Sequence, residues 1–184
     1  RCMTDRCAIE RKSYGPGMHG QRRTKLSEFG MQLREKQKVR RNYGMLEKQF
    51  RSAFEQSAKR RGVTSELFFR GLELRLDNVV YRMGFARSRR EARQIVSHNH
   101  ILLNGKRTNI PSLSCKAGDT IAVSPKSQKM PTFSLASELH GKRAQVPWVE
   151  VDHGKYEGKV TALPHRDDIQ LPVKERLIVE LYSK

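Results

Sequence analysis

The sequence predicts an α+β fold, with helices first and short strands later. Three observations carry this. Residues 27–83 place apolar side chains at helical spacing, Asn104-Gly105 separates two short strand-like runs, and Leu177-Ile178-Val179-Glu180-Leu181 alternates. Four parts follow. An extended basic arm covers 1–26 and a helical domain covers 27–71. An inserted helix–helix–β-hairpin module covers 72–124. A linker and a C-terminal helix/strand segment cover 125–184 and are expected to pack back on the helical domain.

In the arm, Tyr14-Gly15-Pro16-Gly17-Met18-His19-Gly20 is turn chemistry, because glycine and proline both oppose helix. Residues 27–43 read as a helix with Ser27 as N-cap and Gly44 as its break. Leu26, Phe29 and Leu33 are expected to form its narrow apolar edge, with Val39 a poor continuation. The second helix, 45–60, has a better stripe in Leu46, Phe50, Ala53, Phe54 and Ala58. One or two helices span 65–83, with Leu67, Phe68, Leu72, Leu76, Val79, Val80 and Met83 inward and Gly84 ending the run. Ser88-Arg89-Arg90-Glu91 is a capping box, and Ala92, Ile95 and Val96 face inward behind it. Ile101-Leu102-Leu103 and Lys106-Arg107 flank an Asn-Gly turn, which accepts the positive φ angles of a tight hairpin. Thr120–Val123 is a further strand. Residues 125–131 are a linker, followed by a short helix near 133–140 and a strand from Trp148 to Val151. Gly154 and Gly158 are expected to mark turns, and 177–181 to close the chain as a strand.

Lysine and arginine outnumber aspartate and glutamate 37 to 19, a net charge of +18. The excess lies early: net +11 over residues 1–61, +5 over 62–124 and +2 over 125–184. Such a field calls for a polyanion, and counterion release makes phosphate backbones the favoured one. Mean hydropathy is −0.72 and hydrophobic content 36%, so part of the chain is expected to be held by a partner. No apolar stretch reaches the length of a membrane span, and no signal-peptide pattern is present. A cytoplasmic, reducing compartment and no membrane partner are expected.

Arg87, Arg89, Arg90 and Arg93 cluster at the start of a helix, against the dipole preference there. That placement makes sense if phosphates occupy the site. Lys106 and Arg107 follow the hairpin turn, and His98 lies between the arginine cluster and that turn in sequence. The first helices add Arg34, Lys36, Lys38, Arg40, Arg41, Lys48 and Arg51, and the arm adds Arg22, Arg23 and Lys25. These are the candidate RNA-binding residues. Aromatic residues are sparse among them, so base stacking is expected to be minor.

The run from Leu72 through Val80-Tyr81-Arg82-Met83-Gly84-Phe85, then Arg89-Arg90-Glu91-Ala92-Arg93-Gln94 and His100-Ile101 to Asn104-Gly105, resembles the RNA-binding module of the ribosomal protein S-four family. Leu33 to Arg41, Tyr43-Gly44, Gly15-Pro16-Gly17, His19-Gly20 and the ending Leu177–Lys184 resemble the rest of that family, in order. The resemblance implies a structural constituent of the ribosome. It implies a primary binder of small-subunit ribosomal RNA that nucleates assembly of the subunit body. It also implies a place beside ribosomal protein S-five, a contact with messenger RNA at its entrance and a role in translational accuracy. Arg22 to Lys25 match the family's basic stretch at that entrance, with Lys25 where some members carry arginine, which alone grips phosphate in a bidentate way.

Cys2 and Cys7 have a spacing allowed for half of a tetrahedral zinc site. Some family members carry a four-cysteine site at their N-terminus, so the resemblance implies that the first pair lies in a short segment upstream of Arg1. Two plain thiols are the alternative. Cys115 is expected to be buried or half-buried. An RNA-modifying enzyme of the pseudouridine synthase type is a rival, because Arg75-Leu76-Asp77 echoes a catalytic Arg-Leu-Asp. Here, however, Asp77 continues into a helical pattern and is expected to pair with Arg75 or Arg82. A heat-shock ribosome-rescue factor with the same module is the other rival, but such proteins lack the 27–61 helices and the 148–184 segment.

Overall fold

In a computed structural model the structure describes residues 8–22, 25–141, 145–169 and 171–183. Among them are eight helices and one five-stranded sheet, an α+β arrangement. In the arm, one short helical turn, α1 (Ala8–Arg11), interrupts the predicted extended backbone. The helical region contains α2 (Glu28–Asn42), α3 (Glu47–Ala58) and α4 (Thr64–Glu73). Ser27 caps α2, its hydroxyl accepting from the Gly30 amide at 3.2 Å. Gly44 leaves the helix end at φ 62°, a conformation that favours glycine.

The second unit begins with α5 (Leu76–Arg82) and α6 (Arg89–Ser97). The strands are β1 (Ile101–Leu103), β2 (Lys106–Thr108) and β3 (Thr120–Val123). Asn104 and Gly105 both take positive φ, 50° and 78°, as the hairpin turn requires. The capping box forms with one difference. The Ser88 hydroxyl accepts from the Glu91 amide at 3.2 Å, but the Glu91 carboxylate reaches back to the amide of Arg87 at 2.6 Å rather than that of Ser88.

The C-terminal segment corrects three expectations. First, 131–160 does not pack on the helical region. It supplies α7 (Pro131–His140), β4 (Val149–Asp152) and β5 (Glu157–Val160), and β5 pairs with β3 to give an antiparallel sheet ordered β2-β1-β3-β5-β4. Second, Gly158 lies inside a strand, not a turn. A Cβ there would sit 2.9 Å from Met83 Sδ and 3.1 Å from the Glu150 carbonyl, so glycine is needed where the sheet closes on α5. Third, 177–181 is helical, within α8 (Glu175–Tyr182). Short apolar runs fit either period. Here no sheet edge is offered; α2 and α4 are, and Ile178 and Tyr182, four residues apart, both face the helical core.

Two apolar cores result. One joins Val39, Phe50, Phe54, Phe68, Phe69 and Leu72 with Ile169 and Ile178, and within it Phe50 meets Phe68 edge-on at 5.0 Å. The other joins Leu76, Val79, Met83, Phe85, Ile95, Ile101, Ile121, Phe133 and Trp148. On α2 the predicted edge is wrong. Leu26 and Phe29 are 52% and 58% exposed, and the buried positions are Gln32, Lys36, Val39 and Tyr43. Partners on α8 and α3 take up the polar ones. Gln32 donates to Glu180 at 3.3 Å and Lys36 pairs with Glu47.

Gly158→Ala is expected to destabilise by about 1–3 kcal/mol through overpacking. Gly71→Ala, in α4 with nothing near the new Cβ, is expected to be neutral or stabilising by up to about 1 kcal/mol. Urea unfolding followed by circular dichroism compares the two; equal effects would contradict the packing argument.

Candidate nucleic-acid interface

The two cores meet at a buried polar junction. Glu73, the last residue of α4, is fully buried. Its carboxylate accepts from Tyr43 Oη at 2.6 Å, from Asn78 Nδ2 at 2.9 Å, and from Arg82 Nε and Nη2, both at 2.9 Å. Burial by itself raises the Glu73 pKa, but the hydrogen bond and charge of Arg82, with the Tyr43 hydroxyl, outweigh it and hold the pKa below the usual glutamate value. Burial, together with the same carboxylate, pushes the Tyr43 phenol well above its ordinary value.

Above this junction lies Arg89. Its guanidinium carbon lies over the rings of Tyr81 and Tyr43, 4.6 and 5.1 Å from their centres. Its edge donates to Asn78 Oδ1 at 2.7 Å and Asn42 Oδ1 at 3.3 Å. Arg93 Nη1 donates to the Gly44 carbonyl at 2.8 Å, across the same seam. Together these contacts wall an open cleft of about 770 Å³. The end of α2 (Arg41, Asn42, Tyr43, Gly44) forms one side, and Tyr81 with Arg87, Arg89, Arg90 and Arg93 forms the other.

Of the predicted RNA-binding residues the structure therefore brings together Arg41, Arg87, Arg89, Arg90 and Arg93. Their states differ. Arg41 and Arg90 are exposed and have no acidic partner among the described residues. Arg87 pairs with Glu91 at 2.7 Å, while Arg89 and Arg93 are half-buried and bonded within the chain. The charge cluster at this helix start is thus answered in part internally, which the dipole argument did not foresee.

The other predicted residues lie elsewhere. Lys36 is 7% exposed, paired with Glu47 and set 5.9 Å over the Tyr182 ring, so it is unavailable to a ligand. Arg40 is half-buried against Gln37, Met45 and Glu47. Arg34 and Lys48 are exposed without an acidic partner among the described residues. Lys38 and Arg51 are exposed but paired with Glu35 and Glu55. Lys106 and Arg107 are exposed on edge strand β2, and His98 caps α6 beside His100. Arg22 and Lys25 are exposed in the arm. Arg23, Cys2 and Cys7 lie outside the described residues. No group of three or more potential metal ligands occurs among the described residues, and Cys115 is buried, its thiol pushed up to about 12 by burial. Sequence reading missed Asn42, Tyr43, Asn78 and Tyr81 as parts of this site. Their only signal was polar and aromatic types beside helix ends.

The rival catalytic reading loses its residue. Asp77 is buried and takes two hydrogen bonds from Arg75, at 2.8 and 3.1 Å, as a structural pair; Arg82 goes to Glu73 instead.

Comparison with known proteins fits this division. A family model described as "Ribosomal protein S4/S9 N-terminal domain" matches residues 1–73, and one described as "S4 domain" matches 74–121. Over all 184 residues the chain is 56% identical to small ribosomal subunit protein uS4 of Acetivibrio thermocellus, covering 88% of that protein. It is 55% identical to the uS4 of Geobacter metallireducens and 54% to that of Geotalea daltonii, again over its whole length and 88% of theirs. The chain belongs to the uS4 family. The boundary between the two uS4 family models falls at Glu73, whose carboxylate is bonded from both sides, by Tyr43 in the first and by Asn78 and Arg82 in the second.

Because Glu73 is held below its ordinary pKa, its ionised form stabilises the fold. That contribution is full above the unfolded value of about 4.3 and is lost as pH falls through the lower folded value. Melting temperature is expected to hold from pH 7 to 5 and drop below about pH 4, with Glu35 and Glu47, also lowered, adding in the same direction. Glu73→Ala leaves Arg82 buried without its partner and is expected to cost about 3–5 kcal/mol at pH 7. Thermal melts of both proteins across pH check this; a variant as stable as the parent at pH 7 would refute it.

Proposed function

We infer that this chain is a structural constituent of the small ribosomal subunit that binds its ribosomal RNA, and that it is not an enzyme. Membership of the uS4 family carries the ribosomal role. The observation that supports the RNA contact is the cleft where Arg41 and Arg90 face outward, on two rigid helices held by a buried junction. Double-stranded RNA hides its base edges in a deep, narrow groove, so folded RNA is recognised through backbone and shape. Cations fixed on rigid helices suit that task, and phosphates fix register without reading sequence.

The finer reading extends this along the surface. Arg34 and Lys48 continue the charge on the helical side, and Lys106 and Arg107 on the sheet edge. Arg22, Arg23 and Lys25 in the arm would face messenger RNA near its entrance, as the family resemblance suggests, and a protein neighbour of the S-five type would complete the setting. Early binding during subunit assembly and a part in translational accuracy belong to the same reading. Cys2 and Cys7 supply two thiolates, half of what a structural zinc needs. The reading places zinc there, with two further donors completing the tetrahedron.

Binding to small-subunit ribosomal RNA is expected to weaken at least about a thousandfold between 50 and 200 mM salt. Arg41→Gln and Arg90→Gln should each lower the salt slope by about one while leaving the melting temperature nearly unchanged. Filter binding at several salt concentrations, with a melt of each variant, measures both. Affinity indifferent to salt, or losses matched by equal losses of stability, would refute phosphate contact. Zinc content by elemental analysis of full-length protein should fall to zero in a Cys2→Ser, Cys7→Ser double variant; a parent without zinc refutes the metal.

A further inference from the structure

We propose that Arg89 is a positioning residue for RNA binding, a clamp that sets the spacing of the cationic cleft rather than a phosphate contact. The proposal rests on the reading that RNA occupies the cleft between Arg41 and Arg90.

The walls of that cleft belong to different cores. Arg41 stands on α2, whose apolar partners are in the helical region, and Arg90 stands on α6, whose partners are under the sheet. Shared apolar packing does not fix the distance between them. Polar contacts do, and Arg89 carries most of them at the mouth of the cleft. One guanidinium joins three elements: the end of α2 through Asn42 and Tyr43, α5 through Asn78 and Tyr81, and α6, on which it stands. The guanidinium lies over two tyrosine rings and donates to two side-chain amides, and the residue is half-buried, so its donors are engaged within the chain. Arg90, the next residue, projects freely.

A planar, delocalised cation is required for this. It stacks on two rings at once and donates in fixed directions, neither of which an ammonium on a flexible stem can do. Asn78 links the clamp to the junction below, since its amide oxygen receives Arg89 while its nitrogen donates to the Glu73 carboxylate at 2.9 Å. Phosphates along a folded backbone have fixed spacing, and cations misplaced by an ångström no longer meet them together. Arg89 thus controls how many phosphates are engaged at once.

The two roles predict opposite behaviour for Arg89→Lys, which keeps the charge but loses the plane. Binding of the full chain to small-subunit ribosomal RNA is measured against salt for the parent, Arg89→Lys, Arg89→Gln, Tyr81→Leu, Arg41→Gln and Arg90→Gln, each with its melting curve and at a temperature where all are folded. Tyr81→Leu removes one stacking face without touching a charge, and keeps the test alive should Arg89→Gln fail to fold. Expected are at least tenfold losses of affinity for both Arg89 variants, salt slopes lowered by more than one, a smaller loss for Tyr81→Leu, and a slope lowered by about one for Arg90→Gln. Restoration of parental affinity by lysine would overturn the proposal in favour of a direct phosphate contact. Lower melting temperatures with unchanged affinity would overturn it in favour of a purely structural role. If the parent binds but Arg41→Gln and Arg90→Gln have no effect, the cleft itself is not the site and this proposal falls with it.

Discussion

The rest of the molecule depends on one buried carboxylate. Glu73 ends the last helix of the first core, and an ionised group there is tolerated only if its lone pairs are filled. Donors from Tyr43, Asn78 and Arg82 fill them. These come from the turn after α2 and from α5, so satisfying the charge fixes where the second unit sits on the first. Two apolar cores alone would permit sliding, because the hydrophobic effect is not directional. A carboxylate with four directed bonds has essentially one arrangement. Arg89 repeats the principle one layer outward with an arginine in place of the acid.

This arrangement divides the basic residues by task. Some of the positive charge is spent inside: Lys36 on Glu47, Arg75 on Asp77, Arg82 on Glu73, Arg89 on tyrosine rings. What is left exposed is displayed on elements whose positions the internal charges have set. A surface of this kind keeps its geometry without a ligand, so on the reading proposed above binding does not have to order the cations first.

Much of this was legible in the sequence. The spacing of Phe50 and Phe54, the Ser88 box and the Asn104-Gly105 turn each encode a local structure, and local structure is set by neighbours in the chain. The failures share one cause. Leu177–Leu181 alternates as a strand would, yet it lies against α2 and α4 and takes the helical period they accept. Gly158 reads as a turn and is a strand residue, because Met83 needs the space. Leu26 and Phe29 look like a core edge, whereas Gln32 and Lys36 are inside because Glu180 and Glu47 meet them there. In each case a residue on another element of the fold decides.

Charge, its concentration towards the N-terminus and the helix and turn signals were determined by the sequence alone, since composition and short-range sterics need no knowledge of contacts. So was the likeness to the uS4 family, which rests on motifs spread along the chain. Only the tertiary structure decided which cations are free. Arg89 and Arg90 are adjacent and chemically identical, and no local rule separates them. Folding sets one over two tyrosine rings from distant segments and leaves the other facing water, because burial and pairing are properties of the packed molecule and not of the residue.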